Sequence, residues 1–343
     1  MAPYRSGRAL ICTATAITAI GLGSPSASAQ DTPAATYTQS TVLTLTRGEQ
    51  ARDVAVDDVG NTMVLVGLSG GTGARITYVG TDGTQWGFTV DAPGGGSGIA
   101  RATDGTIFYT VGSSLSRTGE VVSGWVTRIP PGGNAAQIPL AVHNPCDVAT
   151  DGTELVVLDC GTGNNDAQVI RADITSGHSI QTVTGFVQPR GVDLDRAGNI
   201  LIGDAQFRDG DSAVVTVRRD GTRTETAVPG FDLLDLAAAT DGSPVLAGAE
   251  GDAPRIVRLG ADGTRTALPF TGVVYPTGVA VGPQDAVTVS YREGSSTTST
   301  SRVVKLVPDP DPDPDPAPEP EPEPEPEPTP VLPPILGSSG SSE

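Results

Sequence analysis

Residues 189–199 read PRGVDLDRAGN, and this stretch decides the fold because it is one of six copies of a single phrase. The others are ARDVAVDDVGN (51–61), GSGIARATDGT (96–106), NPCDVATDGTE (144–154), LLDLAAATDGS (233–243) and PTGVAVGPQDA (276–286). Their turn residues Gly60, Gly105, Gly152, Gly198, Gly242 and Asp285 follow at intervals of 45, 47, 46, 44 and 43 residues. A period near 45 belongs to four-stranded propeller blades, not to helical or leucine-rich solenoids. Six copies therefore predict an all-β, six-bladed β-propeller.

Working outward, the first copy continues as an apolar strand (63–66), a loop, a third strand (76–79), Asp82-Gly83, and a fourth strand (86–90). Asp-Gly is a strong hairpin signal because both residues tolerate positive φ, and it recurs in phase at Asp104-Gly105, Asp151-Gly152, Asp220-Gly221, Asp241-Gly242 and Asp262-Gly263. Six residues before each turn stand Val54, Ile99, Cys146, Val192, Leu236 and Val279; five before it stand Ala55, Ala100, Asp147, Asp193, Ala237 and Ala280. Neighbouring residues of a strand face opposite ways. The small set fits the crowded innermost strand beside the propeller axis.

The sixth copy has a third strand (302–306) but no fourth before proline takes over, and the run TVLTL (41–45) ahead of the first copy has no partner of its own. This N-terminal strand is expected to complete blade six and close the ring.

At the level of the phrase itself, PRGVDLDRAGN and PTGVAV (276–281) resemble the NHL family, whose repeats carry a P-x-G-V-A-V-D-x-x-G-N-like motif. The resemblance covers roughly residues 40–307. It implies the propeller fold and says little about function. Repeat two departs from it with Arg101 on the bulky face, and repeat six lacks the turn glycine.

Composition agrees with many turns and a core of small and β-branched residues: of 343 residues 44 are Gly, and aromatics make up 4%. The formal charge is −19 and the sole lysine is Lys305, so the chain lacks the basic surface that nucleic-acid phosphates require.

Both ends carry their own signals. Residues 1–29 have a basic start (Arg5, Arg8), an apolar run (9–23) and a small-residue ending, Ala27-Ser28-Ala29. This is the pattern of a cleaved secretory signal peptide; about 15 apolar residues fall short of the roughly 20 needed to span a bilayer. Cys12 would leave with it. Residues 308–343 open with alternating proline and acid (DPDPDPDPAPEPEPEPEPEP, 309–328), which rules out helix or central strand. This tail is expected to be disordered, its residues 308–328 forming an extended spacer that reaches roughly 65 Å at about 3.1 Å per residue. It resembles the wall-crossing segments of secreted proteins from high-GC Gram-positive (actinobacterial-type) bacteria; the alternative is a passive solubilising tail. Between the ends, residues 30–307 form the propeller body, with 30 acidic and 19 basic residues, net −11.

In this architecture the loops from second to third strands, and from fourth strands to the next blade, share one face. Asp147 and Asp193 occupy the axial position, Asp159 and Asp204 end the second strands of the same blades, and Asn164 and His143 lie in nearby loops. Clustered carboxylates repel unless they are protonated, hydrogen-bonded or bridged by a cation. Asp147, Asp193 and Asp204 are therefore candidate ligands for a divalent ion, an oxygen-only set suiting Ca²⁺ or Mg²⁺ rather than zinc, with Ca²⁺ the cofactor to test. The alternative is that these aspartates cap loops by accepting backbone N–H bonds. His178 falls in a hairpin on the opposite face, out of reach of His143. Cys146 and Cys160 come to the same end of one hairpin, which in an exported protein favours a disulfide.

No catalytic motif emerges. The expected function is a secreted, monomeric binding module at the cell envelope, free or wall-associated, whose partner is a protein, peptide or glycan. The alternative is a metal-assisted hydrolase or lactonase built on the same ring.

Overall fold

The computed structural model describes residues 36–309, apart from 72, 94–95, 116–119, 163–165, 208–209 and 295–298. The expected signal peptide and all but the first two residues of the proline tail lie outside these. Among the described residues no helix is long and apolar enough to cross a membrane.

The chain is all-β and folds into six four-stranded antiparallel blades. Blade one is Gln50–Val56, Thr62–Gly67, Ala74–Val79 and Gln85–Val90. Blade two is Ile99–Arg101, Ile107–Val111, Trp125–Ile129 and Ala136–Gln137, with a small extra hairpin, Ser114–Leu115 with Val121–Val122, between its second and third strands. Blade three comprises Pro145–Thr150, Glu154–Asp159, Gln168–Asp173 and Ser179–Thr184. Blade four comprises Pro189–Leu194, Ile200–Asp204, Ser212–Val217 and Arg223–Val228. Blade five comprises Phe231–Ala238, Pro244–Glu250, Ala253–Leu259 and Arg265–Ala267.

Blade six is closed as the sequence predicts. Its own strands are Tyr275–Val281, Val287–Glu293 and Thr300–Pro308, and Tyr37–Thr44 from the N-terminus pairs antiparallel along the last of them, from Tyr37 opposite Pro308 to Thr44 opposite Arg302. Leu43 and Leu45 are buried there with Val54, Val64 and Val303, so the closing segment also packs against blade one. Burying one such side chain contributes about 1.5–3 kcal/mol.

The core is distributed. Six apolar clusters each fill one junction between adjacent blades, from blades one and two (Met63, Leu65, Ile107, Tyr109) round to blades six and one. Second strands are sandwiched on both sides, which is why they read as unbroken apolar runs such as Leu155-Val156-Val157-Leu158. Gly60, Gly105, Gly152, Gly198 and Gly242 all have φ between 73° and 91°, the conformation their turns demand. Blade six solves the same turn without glycine: Gln284 and Asp285 take φ of 58° and 57°, and the Asp285 carboxylate accepts the backbone N–H and hydroxyl of Thr240. The unusual Arg101 is accounted for by an ion pair with Asp57 and a position 6.0 Å over the Tyr78 ring.

Candidate functional site

The innermost strands surround a central channel, and four carboxylates line it: Asp53, Asp147, Asp193 and Asp235. Asp53 of blade one accepts the N–H of Val54 and, across the junction, that of Ile99 in blade two, at 2.7 and 2.8 Å. Asp147 of blade three does the same for Val148 and for Val192 in blade four. Asp235 of blade five reaches Val279 in blade six at 2.7 Å. Each of these three carboxylates ties an odd-numbered blade to the next.

Glycines occupy the matching position in the even blades. A Cβ on Gly98, Gly191 or Gly278 would lie 2.6, 2.4 or 2.6 Å from an oxygen of Asp147, Asp235 or Asp53, so only glycine lets the neighbouring carboxylate in. The channel thus alternates Asp, Gly, Asp, Gly, Asp, Gly. Asp193 breaks the pattern from one layer further along, two residues beyond Gly191, where it accepts the N–H groups of Leu194 and of Ala238 in blade five. Asp147 and Asp193, counted as equivalent from their turns, are therefore in different layers. Asp53 and Asp235 escape that count altogether.

Burial dominates the electrostatics of these groups. It raises the carboxyl of Asp53 to about 7 and that of Asp193 to about 6, against the opposing pull of their N–H donors. Asp147 and Asp235 are likewise pushed well up, first by burial and then by the charges of their neighbours across the channel. The cavity they line is about 140 Å³, below the roughly 300 Å³ at which small-molecule pockets begin. A space of that size suits water or an ion better than an organic substrate.

Asp159 and Asp204 are fully buried at the loop face, away from the channel lining. Asp159 accepts the N–H groups of His143, Asn144 and Gly161 and the side-chain amide of Gln168. Asp204 accepts those of Val187, Gln188 and Gln206. Both clamp the loop that leads into their blade. His143 is 69% exposed, with Nδ1 3.6 Å from Asp159 Oδ2, while His178 lies in the hairpin after Asp173 at the opposite end of its blade. Asn164 is outside the described residues. Cys146 and Cys160 form a disulfide, which joins the start of blade three to the residue after its second strand.

Among the described residues no group of three or more His, Cys, Asp or Glu side chains is arranged to hold a metal ion. The donor set explains this, since the oxygens of Asp147, Asp193 and Asp204 are already turned toward backbone N–H groups.

Beside polar residues such as His143, the loop face exposes several apolar side chains. Val187 and Val274 stand at the same point of the loops into blades four and six, two residues before Pro189 and Pro276, with exposures of 50% and 40%. Tyr275 (57%) lies beside Val274 with the Arg292 guanidinium 5.9 Å over its ring, and the exposed Val121 and Val122 form the second strand of the small blade-two hairpin. The signal for this was present in the sequence, as bulky residues ahead of the PxG phrases.

No protein-family model matches the sequence, and no curated protein is similar to it. Solved structures are similar in fold. Virginiamycin B lyase from Staphylococcus aureus aligns over 79% of this chain and 99% of its own at 12% identity, with a TM-score of 0.51. A calcium-binding protein, regucalcin, from Agrobacterium tumefaciens aligns over 77% and 93% at 13% identity, with a TM-score of 0.52. A gluconolactonase from Xanthomonas campestris aligns over 80% and 90% at 12% identity, with a TM-score of 0.56. At such identities the likeness is one of architecture.

Proposed function

We propose that the protein is a secreted binding module that docks a partner at the cell envelope through the loop face of the ring. The observation that carries this reading is the exposed apolar set Val121, Val122, Val187, Val274 and Tyr275, of which Val187 stands on a loop that the buried Asp204 holds in place. Clamped loops bind with little ordering cost, because their backbone is already fixed. The disulfide is compatible with an oxidising, extracellular setting. The N-terminal leader and the acidic proline spacer, as read from the sequence, would deliver the ring and hold it clear of, or within, the envelope. The partner is a protein, peptide or glycan with an apolar surface.

The test is retention. A Val187→Asp/Tyr275→Asp chain should lose envelope association in cell fractionation, while Ile180→Asp, on the hairpin face, should keep it. Equal retention of all three would remove the loop face from the reading.

The rival is a divalent-metal-assisted lactonase or hydrolase using Asp147, Asp193 and Asp204. The channel carboxylates and the fold shared with a gluconolactonase favour it. Against it, Asp204 would have to release Val187 and Gln188 to ligate an ion. Excess Ca²⁺ discriminates: occupancy at 100 times the dissociation constant adds about 2.7 kcal/mol to the stability. A melting temperature raised by several degrees in wild type and not in Asp193→Asn, together with turnover of a lactone, would establish the rival.

A further inference from the structure

At the hairpin end of the junction between blades one and two lies a groove of about 500 Å³ that the loop face does not share. One wall is an aromatic shelf. Tyr78 and Trp86 are cross-strand partners stacked at 5.1 Å and 24°, and Trp86 stacks on Phe88 at 5.9 Å and 19°. Trp86 is 51% exposed, and the opposite wall is the Pro130-Pro131 turn of blade two. A stacked aromatic shelf facing an apolar wall is the chemistry that grips a polyproline-type peptide, whose ridge needs no rearrangement to bind.

We infer that this groove is a docking site for the protein's own segment 330–336, PVLPPIL. Three observations select that occupant. First, the last strand of blade six runs toward the hairpin end, with Leu306 opposite Val287 at the start of the neighbouring strand, so the chain leaves the ring at Asp309 on the side where the groove opens. Second, the 21 residues from Asp309 to Thr329, which precede the segment, reach about 65 Å at about 3.1 Å each if extended. Blades pack face to face at the roughly 10 Å of stacked sheets, so the spacer passes blade one with length to spare. Third, charge sorts the tail. Its acidic repeats are repelled by a body of net −11, whereas 330–336 is uncharged and apolar. A second groove, of about 400 Å³, lies between blades six and one on the same route and carries Lys305, the sole lysine, whose Nζ donates to the Gly60 carbonyl at 2.6 Å. It offers the acidic spacer one cation on its way.

The experiment is acrylamide quenching of tryptophan emission in the full chain, against the full chain carrying Leu332→Asp and Pro334→Asp. These substitutions lie outside the ring and leave its packing alone, and Trp125 contributes equally to both. The expected result is at least a twofold rise in the quenching constant of the variant, independent of protein concentration and absent when Trp86→Phe is introduced in both chains. Equal quenching of the two chains overturns the inference. So does a difference that survives Trp86→Phe, which would place the segment elsewhere, or one that grows with concentration, which would assign the groove to a second copy.

Discussion

Asp147 of blade three accepts the backbone N–H of Val192 in blade four at 2.7 Å, across 45 residues of sequence. With its other oxygen on Val148, the one side chain satisfies two buried donors in two blades. Leaving a buried polar group unpaired costs about 1–3 kcal/mol. Asp147→Ala should therefore lower the melting temperature by about 3–10 °C, at about 2–4 °C per kcal/mol for a ring of this size. Calorimetry checks this, and an unchanged midpoint would mean that the junction does not depend on the staple.

The channel carboxyls give the ring a pH dependence with a definite sign. Asp53 and Asp193 are raised in the folded state to about 7 and about 6, and Asp147 and Asp235 are raised too, so between their ordinary range and neutrality the folded chain binds more protons than the unfolded one. Stability then falls as pH rises through that window. The contribution is full below about pH 4, the unfolded carboxyl range, and that of Asp53 and Asp193 is lost by about pH 7–8. Melting temperatures should be higher at pH 5 than at pH 8, and Asp53→Asn should flatten the slope. A midpoint that rises from pH 5 to pH 8 would contradict the assignment.

How much of this was legible beforehand depended on the turns. The blade count, the closing strand and the disulfide followed from the phase of the Asp-Gly pairs and from strands left without partners. The channel did not, because blade three reaches its turn glycine sooner: Gly152 is five residues after Asp147, whereas Gly60 is seven after Asp53. Counting back from a turn of variable length put Asp147 in the alanine layer, which Ala149 in fact occupies beside Asp193. Counting two residues on from Ala51, Gly96, Pro145, Pro189, Leu233 and Pro276 instead recovers Asp53, Gly98, Asp147, Gly191, Asp235 and Gly278 as one alternating set. The capping role of Asp159 and Asp204 depends on loop N–H directions, which no spacing encodes.

Reduction of the Cys146–Cys160 disulfide frees a short loop beside the His143 turn. A closed loop of about 15 residues is worth about 3 kcal/mol in the chain-entropy account. Cys146→Ser/Cys160→Ser should melt about 6–12 °C below wild type, and dithiothreitol should lower the wild-type midpoint but not the variant's. Equal midpoints of the oxidised wild type and the variant would show that the bridge adds nothing.

Ring closure by Tyr37–Thr44 makes a separate demand. A chain beginning at Gln50 loses Leu43 and Leu45 and leaves the Thr300–Pro308 edge unpaired, an open template for association. It should aggregate or melt well below the full chain in light scattering and circular dichroism. Wild-type melting of that truncated chain would contradict closure.

The central claim is that the loop face is where the partner sits. Its most direct test is a photo-crosslinking amino acid placed at Val187 in intact cells, with the same group at Ile180 on the hairpin face as control. The account predicts one envelope species trapped at Val187 and not at Ile180, and lost when Tyr275→Asp is added. No adduct at Val187, or the same adduct from both positions, would contradict it.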